Sequence, residues 1–249
     1  MRGFLSGSTS NLGGANLVRL PRTPLDEEAR CKFVSDFCNS LLNYYEYVAY
    51  TDVDELLVAD PRHHTGLLSL CMAAEHDVTT ALGMHLAHYL PDEPALRPDA
   101  PILQQRRTAF PIGSECKPNL IRRPVRWNPG FHHGDAPSAF GDLFLLHLAY
   151  CDIPIVRRRQ RKRLATARVE GHGLHHGWAE AQFVAHIESW SDFPVDEGVD
   201  LGRECRVRAE FIARLLASSS GAGSPPMVDS LVVGGPGLWR IPDRFRQIF

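Results

Sequence analysis

The chain has 249 residues and a formal net charge of −2, and 44% of its residues are hydrophobic. This composition is ordinary for a globular protein with one large domain or two small ones. The near-zero charge gives no reason to expect nucleic-acid binding, and no apolar run approaches the roughly 20 residues that span a bilayer. Because the N-terminus lacks the apolar segment of a signal peptide, we expect a cytoplasmic protein.

The cysteines are widely spaced and form no CxxC pair. A zinc knuckle needs tighter spacing, so this pattern indicates reduced thiols. They are Cys31, Cys38, Cys71, Cys116, Cys151 and Cys205.

The first regular element in chain order is an amphipathic helix predicted over residues 25–46. Its apolar side chains recur at every fourth position, at Phe33, Phe37, Leu41 and Tyr45. Side chains at this spacing share one face of a helix, and the acids lie in the first turn, where they favour helix formation.

The later elements alternate between strand and helix at first and mix further along, which predicts an α/β fold with one main sheet. Residues 142–150 are apolar on both faces, as in a central strand. The run SSSGAGSPP predicts a flexible break, which would leave a domain over residues 1–217 and a tail over 218–249. The predicted strands are 47–51, 78–90, 119–123 and 142–150, and the later helices are 65–74, 154–167, 178–188 and 203–217.

The segment YTDVDELLV places Asp52 and Asp54 directly after a short apolar run. Residues i and i+2 of a strand point to the same face, and two adjacent carboxylates repel unless a cation lies between them. Mg²⁺ and Mn²⁺ prefer such oxygen ligands, and ligands of open α/β sheets gather beyond the carboxyl ends of strands. The pattern predicts a metal that itself holds a diphosphate, although about 0.5 D-x-D triplets occur by chance in such a chain, mostly as solvated loop acids.

The segment YEYVAYTDVDELLVADP resembles the region around the DxD motif of GT-A glycosyltransferases, especially the family 2-like group with a DVDEF sequence. The blocks PILQQRR, SECKPNLIRRP, RWNPGFHHG and DLFLLHLAYCD follow in the order of that group, and the resemblance covers residues 15–165. It implies a GT-A-like, Rossmann-like mixed sheet flanked by helices. GSTSN looks like the remnant of the turn after the family's first strand, so we expect an N-terminally shortened fold without that nucleotide-binding strand.

The resemblance implies a metal-dependent glycosyltransferase that uses Mn²⁺ or Mg²⁺ and a UDP- or GDP-sugar donor. The acceptor would be a glycan, a lipid or a small molecule. By analogy, Asp52 lies near the donor's ribose and the metal, and Asp54 ligates the metal. GT-A enzymes often complete the metal shell with a distant histidine, for which His132 is the first candidate and His147 the second.

Two further roles are needed for this chemistry. Lys117 or Arg122 would add positive charge beside the diphosphate. An inverting transfer also needs a general base for the acceptor hydroxyl, and the candidates are Glu115 and Asp135.

Two other functions stay open from the sequence. A catalytically weakened relative would act as a binding or scaffolding protein. A His-rich metallohydrolase would use His172, His175 and His176 together with the acids of DVDE.

Three other features have a structural as well as a functional interpretation. The basic run RRRQRKR at residues 157–163 is typical of a solvated helix face, with peripheral contact to an anionic acceptor or the inner membrane as the alternative. His63 and His64 are typical of a solvated turn. Three tryptophans would either pack in the core or stack on a sugar ring; they are Trp127, Trp178 and Trp190.

Overall fold

The computed structural model describes residues 24, 26–166, 177–218 and 237–248. The GSTSN turn, the group His172, His175 and His176, and most of the predicted break after residue 217 lie outside the described residues.

An open, mostly antiparallel sheet of eight strands forms the centre of the described chain. Strand β6 pairs antiparallel with β2 on one edge and parallel with β3 on the other. The free edge of β3 pairs first with β5 and then with β4; β1 extends β5, and β8 and β7 extend β4. The strands are β1 Val48–Ala49, β2 Glu55–Ala59, β3 Val78–Ala87, β4 Thr108–Pro111, β5 Pro118–Ile121, β6 Ala139–Tyr150, β7 Val195–Asp196 and β8 Leu238–Arg240.

Six α-helices accompany this sheet in the described ranges, so the predicted α/β class with a mixed sheet and helices is confirmed at that level. Two of them, α4 and α6, fall where helices were predicted over residues 154–167 and 203–217. The helices are α1 Glu27–Leu41, α2 Leu67–Ala73, α3 Ile102–Gln105, α4 Ile153–Leu164, α5 Glu180–Ser189 and α6 Arg206–Ala217.

Strand β6 is central, as its apolar sequence predicts. On one sheet face, Phe144 and Leu146 pack in a core cluster that includes Phe211 and Leu215 of α6. Full burial of one such side chain contributes about 1.5–3 kcal/mol. On the opposite face, Leu145 belongs to a second apolar cluster, and because side chains alternate along a strand, His147 continues this second face.

Helix α1 forms where it is predicted, but its buried face differs from the prediction. Asp26 caps its N-terminus by accepting a hydrogen bond from the backbone N–H of Ala29 at 3.0 Å. Phe33 and Phe37 are 38% and 44% exposed and stack on each other. The apolar side chains at every fourth position therefore do not form the buried face of the helix. The buried face consists instead of small residues, which let the helix approach the loop after β5 closely; they are Cys31, Ser35 and Cys38.

The C-terminal segment includes a strand that the sequence did not indicate. Strand β8 pairs with β4 and β7, and its Trp239 is buried in the same core cluster as Ile241 and Phe245. Residues 238–245 therefore pack with the sheet and with its core. The predicted break stays a prediction for residues 219–236, which are not among the described ranges.

The cysteine side chains and the helix lengths can be compared with the predictions of reduced thiols and of no membrane-spanning segment. All six cysteines are free thiols. None of the helices in the described ranges has the length and apolar character required to cross a membrane.

Candidate functional site

Three neighbouring strands place polar side chains in a row on one face of the sheet. His147 of β6 is paired in register with Glu55 of β2 on one side and with His85 of β3 on the other. Residues directly opposite on paired strands present their side chains to the same face. The row therefore lies where the apolar cluster of this face ends, and all three side chains are largely buried.

A glycine in β3 lets a fourth residue reach this row. The short 3-10 turn Gly113–Glu115 lies so close to Gly83 that a Cβ at residue 83 would be 2.0 Å from the carbonyl oxygen of Glu115. The backbone N–H of Gly83 donates to the sulfur of Cys116 at 3.3 Å and holds the turn there. The missing side chain at residue 83 thus allows Glu115 to lie against His147.

Charged groups of alternating sign run from the solvent into this site. Arg159 Nη1 lies 3.2 Å from Asp54 Oδ2, which lies 3.4 Å from His147 Nε2. His147 Nδ1 lies 3.2 Å from Glu115 Oε1, and Glu115 Oε2 lies 3.3 Å from Lys117 Nζ, which also pairs with Glu55. We name this set the charged chain; its members are Arg159, Asp54, His147, Glu115, Lys117 and Glu55.

The pKa values of the charged chain follow from burial and from these contacts. Burial alone would raise the pKa of Glu115, but His147 and Lys117 outweigh it and hold that pKa well below its usual range. Burial lowers the pKa of His147, whereas Glu115 and Asp54 more than compensate and raise it to about 9. The hydrogen bond from His147 lowers the pKa of Asp54, and burial lowers the pKa of His85 to about 3. At neutral pH, His147 is therefore protonated and His85 is neutral.

His85, Glu115 and His147 form a group that could hold a metal ion. One ligand atom from each lies within 4.8 Å of the others, and within the described residues this is the only such group of three. Each residue also has a buried atom that makes no hydrogen bond, namely His85 Nδ1, Glu115 Oε2 and His147 Nδ1. The ion-pair contacts of Glu115 and His147 are therefore not aligned as hydrogen bonds.

Asp52 and Asp54 lie in a turn between β1 and β2, so the prediction that they share a strand face was wrong. The backbone N–H of Glu55 donates to the carbonyl of Asp52 at 3.1 Å and closes this turn. Asp52 pairs with Arg30 and accepts from Tyr50 Oη at 2.7 Å, whereas Asp54 faces His147 and Arg159. Three acids in four positions repel, and the turn lets each one reach a different cation.

The other predicted site residues have different neighbours. His132 Nδ1 contacts the carbonyl oxygen of Ser114, next to Glu115 in the 3-10 turn. Asp135 accepts from the backbone N–H of Arg126 at 2.8 Å. Arg122 is exposed and donates to Asp77 at 2.6 Å. His132 thus lies beside the site, whereas Arg122 and Asp135 contact residues outside the charged chain.

Sequence reasoning missed His85, Glu55 and Arg159 as site residues. His85 lies inside the apolar run VTTALGMHLA, where a histidine at a buried position was the available signal. Glu55 directly follows the D-x-D triplet. Arg159 lies in the basic run that was interpreted as a solvated helix face. Its side chain is only 17% exposed and lies over the ring of Tyr150, and this position distinguishes it from its exposed neighbours.

Two secondary predictions can be compared with burial. Trp127 and Trp190 are buried in the core, and Trp178 is 43% exposed. His64 is not a solvated turn residue, since its side chain is 8% exposed and its Nε2 lies 3.6 Å from Asp142 Oδ2. His64 and Asp142 line a cavity of about 450 Å³ at the start of β6.

No protein family, curated protein or solved structure matches this chain. Function is therefore inferred from the motif resemblance and from the site geometry.

Proposed function

We propose that the chain is a metal-dependent glycosyltransferase of GT-A type, which transfers a sugar from a UDP- or GDP-sugar to a glycan, lipid or small-molecule acceptor. One observation supports this most: the contacts join most of the residues that the motif resemblance selects, although they are far apart in sequence. The joined residues are Asp52, Asp54, Glu115, Lys117 and His147.

The open end of the charged chain suits a donor diphosphate. The leaving group of sugar transfer is a nucleoside diphosphate, and a divalent cation stabilises the charge that develops on its oxygens. The side chain of Asp54 is 30% exposed at this end, and Arg159 lies beside it with one buried Nε that makes no hydrogen bond. Because guanidinium groups match phosphate oxygens well, Arg159 is a better candidate for the diphosphate than Arg122.

The assignment of the general base changes with the geometry. A base works best when its pKa lies near the working pH. Glu115 is held by Lys117 and His147, and its depressed pKa makes it a weak base. Glu115 therefore suits a ligating or anchoring role, and Asp135 is the remaining candidate from the sequence.

The fold is compatible with this function at a coarse level. A mixed sheet with flanking helices is the architecture that the resemblance implies, and the GSTSN remnant of the family's first turn lies in residues 1–23, outside the described part. The GT-A assignment itself therefore rests on the motif resemblance.

A metal-dependent hydrolase is the second candidate. Two histidines and one glutamate are the ligand set of several zinc hydrolases, which keep a fourth position for water. His85, Glu115 and His147 provide that set. Hydrolysis requires no nucleotide site, so nucleotide binding separates the two functions.

Calorimetric titration of the full chain with UDP and with GDP, in the presence and absence of Mn²⁺, tests the proposal. We expect Mn²⁺-dependent binding of one nucleotide that weakens at least tenfold in Asp54→Ala. The matched control is Asp36→Asn, because Asp36 pairs with Lys32 on the exposed face of α1. A folded chain that binds neither nucleotide would contradict the proposal and favour the weakened relative or the hydrolase.

A further inference from the structure

We infer that His85, Glu115 and His147 bind one first-row transition-metal ion of the Zn²⁺ type, and that Asp54 supports this ion from outside the ligand set. This site goes beyond the proposed function, because it needs neither nucleotide nor sugar. Its ligands also differ from the set that the motif resemblance implies for the donor's cation, Asp52, Asp54 and a distant histidine, with which it shares only the second histidine candidate, His147.

The separations of the ligand atoms match those around one ion. Two ligands bound at about 2.1 Å in a tetrahedral arrangement lie roughly 3.4 Å apart. His147 Nδ1 and Glu115 Oε1 are 3.2 Å apart, and an atom of His85 completes the group within 4.8 Å. Any separation above about 4.2 Å would have to shorten for one ion to reach all three atoms.

His85, Glu115 and His147 each have a buried polar atom that makes no hydrogen bond. Buried polar atoms in folded proteins almost always have a hydrogen-bond partner. His85 Nδ1, Glu115 Oε2 and His147 Nδ1 are buried and have none. A cation bound by His85 Nδ1 and His147 Nδ1 would satisfy both of these histidine atoms, and Glu115 would ligate it through a carboxylate oxygen.

The surrounding residues orient the ligands as outer residues of metal sites do. A histidine that ligates a metal usually donates its other ring N–H to a carboxylate. Metal binding displaces the proton from His147 Nδ1, and ligation there leaves the Nε2–H of His147 for Asp54, whose Oδ2 lies 3.4 Å away. Lys117 lies 3.3 Å from Glu115 and is itself paired with Glu55, so the ligand carboxylate is held from behind.

The chemistry of the donors selects the class of ion. Mg²⁺ and Ca²⁺ prefer shells made of oxygen, whereas two imidazole nitrogens and one carboxylate suit Zn²⁺, Fe²⁺ or Co²⁺. Three protein ligands leave a further position for water or a substrate group. The side chains of His147 and Asp54 are 15% and 30% exposed, so the site can be reached from this end of the charged chain.

The test uses the full chain, freed of metal by chelation and titrated with Zn²⁺ by calorimetry and with Co²⁺ by visible absorption. We expect one ion per chain and no comparable binding of Mg²⁺. His85→Gln and Glu115→Gln should each weaken Zn²⁺ binding at least 100-fold. Asp54→Ala should weaken it by about 10–100-fold, the usual cost of losing an outer-shell partner.

His64→Gln is the matched control, because His64 is also a buried histidine beside a carboxylate, at the cavity near Asp142. Its Zn²⁺ affinity should stay within twofold of the wild-type value. Far-UV circular dichroism of the metal-free variants establishes that each one folds, and Glu115→Asp, which retains a carboxylate, should bind more tightly than Glu115→Gln.

Two results would overturn the inference. One is a folded wild-type chain that binds no Zn²⁺, and the other is binding that survives in His85→Gln and Glu115→Gln but is lost in His64→Gln. Neither result bears on nucleotide binding with Mn²⁺, so failure of this site and failure of the proposed transferase can be told apart.

Discussion

Two buried ionic clusters differ in how completely their groups are paired. Asp60 is fully buried at the end of β2, and its Oδ1 accepts from Arg244 Nε and from the backbone N–H of Arg62, while its Oδ2 accepts from the guanidinium groups of both arginines. Arg62 and Arg244 also share Asp200. By contrast, His85, Glu115 and His147 each have a buried atom without a hydrogen bond.

The difference indicates two roles for buried charge. Because Asp60 has its lone pairs occupied by the chain itself, it acts as a tie that fastens the C-terminal segment, through Arg244, to the central sheet. The group around His147 has ligand capacity that the described chain does not use. Incomplete pairing of clustered ligand atoms, rather than burial or charge alone, therefore distinguishes the candidate metal site.

The largest expected effect comes from Gly83→Ala, which would displace the backbone that positions Glu115 beside His85 and His147. The new Cβ would lie 2.0 Å from the carbonyl oxygen of Glu115, so the turn must move away from β3. We expect the free energy of unfolding to fall by about 3 kcal/mol or more and Zn²⁺ binding to be lost. Urea unfolding and calorimetry would measure both.

Gly141→Ala in the neighbouring strand β6 is the control for that substitution. A Cβ at residue 141 would meet only a methyl group of Thr79, at an ordinary 3.4 Å. We expect a loss below about 1 kcal/mol and unchanged Zn²⁺ affinity. Wild-type behaviour of Gly83→Ala in both measurements would show that the close approach of the turn does not position Glu115.

Asp60→Asn would weaken the ionic tie between Asp60 and its two arginines and leave the group of His85, Glu115 and His147 unchanged. It removes the negative charge between Arg62 and Arg244. Because the side chains of these arginines are partly exposed, we expect the free energy of unfolding to fall by about 3 kcal/mol, the lower end of the range for breaking a buried ion pair. Zn²⁺ affinity should not change. Glu115→Gln should show the opposite pattern, since Lys117 keeps Glu55 and His147 keeps Asp54. Equal effects of both variants on both measurements would remove the distinction between tie and site.

Local sequence predicted the elements well because periodicity is a local property. Strand β6 and helices α1 and α4 formed close to the expected residues. The buried face of α1 could not be predicted, because it depends on small side chains meeting a loop about 90 residues away, as in the contact of Ser35 with Trp127. Strand β8 is only three residues long and gains its burial from β4, far away in sequence.

Part of the candidate site was selected from the sequence because the motifs are also local. The motif resemblance selected Asp54, Glu115, Lys117 and His147, and the structure joins them. It could not select His85, because the relation between His85 and His147 is set by the register of two strands that are distant in sequence. Register across a sheet depends on pairing with partners elsewhere, which a local pattern does not contain.

Acid should weaken the tie around Asp60 in a defined pH range. Burial raises the pKa of Asp60, but hydrogen bonds from Arg244 and Arg62 outweigh it and lower the pKa to about 2, against about 3.9 in an unfolded chain. A depressed pKa in the folded state stabilises the fold above about pH 4, and this contribution disappears as the pH falls towards 2. It amounts to about 2 kcal/mol.

The measurement is the free energy of unfolding of the wild type minus that of Asp60→Asn, from about pH 5 down to about pH 2. Taking the difference removes most of the contribution of the other carboxyls except Asp200, which shares both arginines with Asp60. The difference should shrink by about 2 kcal/mol across this range. A constant difference would mean that Asp60 is not held ionised by its arginines.

The smallest expected effect on stability comes from Asp52→Asn. Asp52 lies two positions before Asp54, which belongs to the charged chain. The pair of Arg30 and Asp52 is partly exposed, at 35% and 26% of the side chains, and such pairs contribute about 0.2–1 kcal/mol. Zn²⁺ affinity should stay within twofold, because Asp52 faces Arg30 rather than His147. Nucleotide binding with Mn²⁺ should nevertheless weaken, since the proposed transferase uses Asp52 beside the donor. A variant that loses Zn²⁺ together with nucleotide would merge the two sites into one, and a variant that loses neither would leave Asp52 as a surface ion pair.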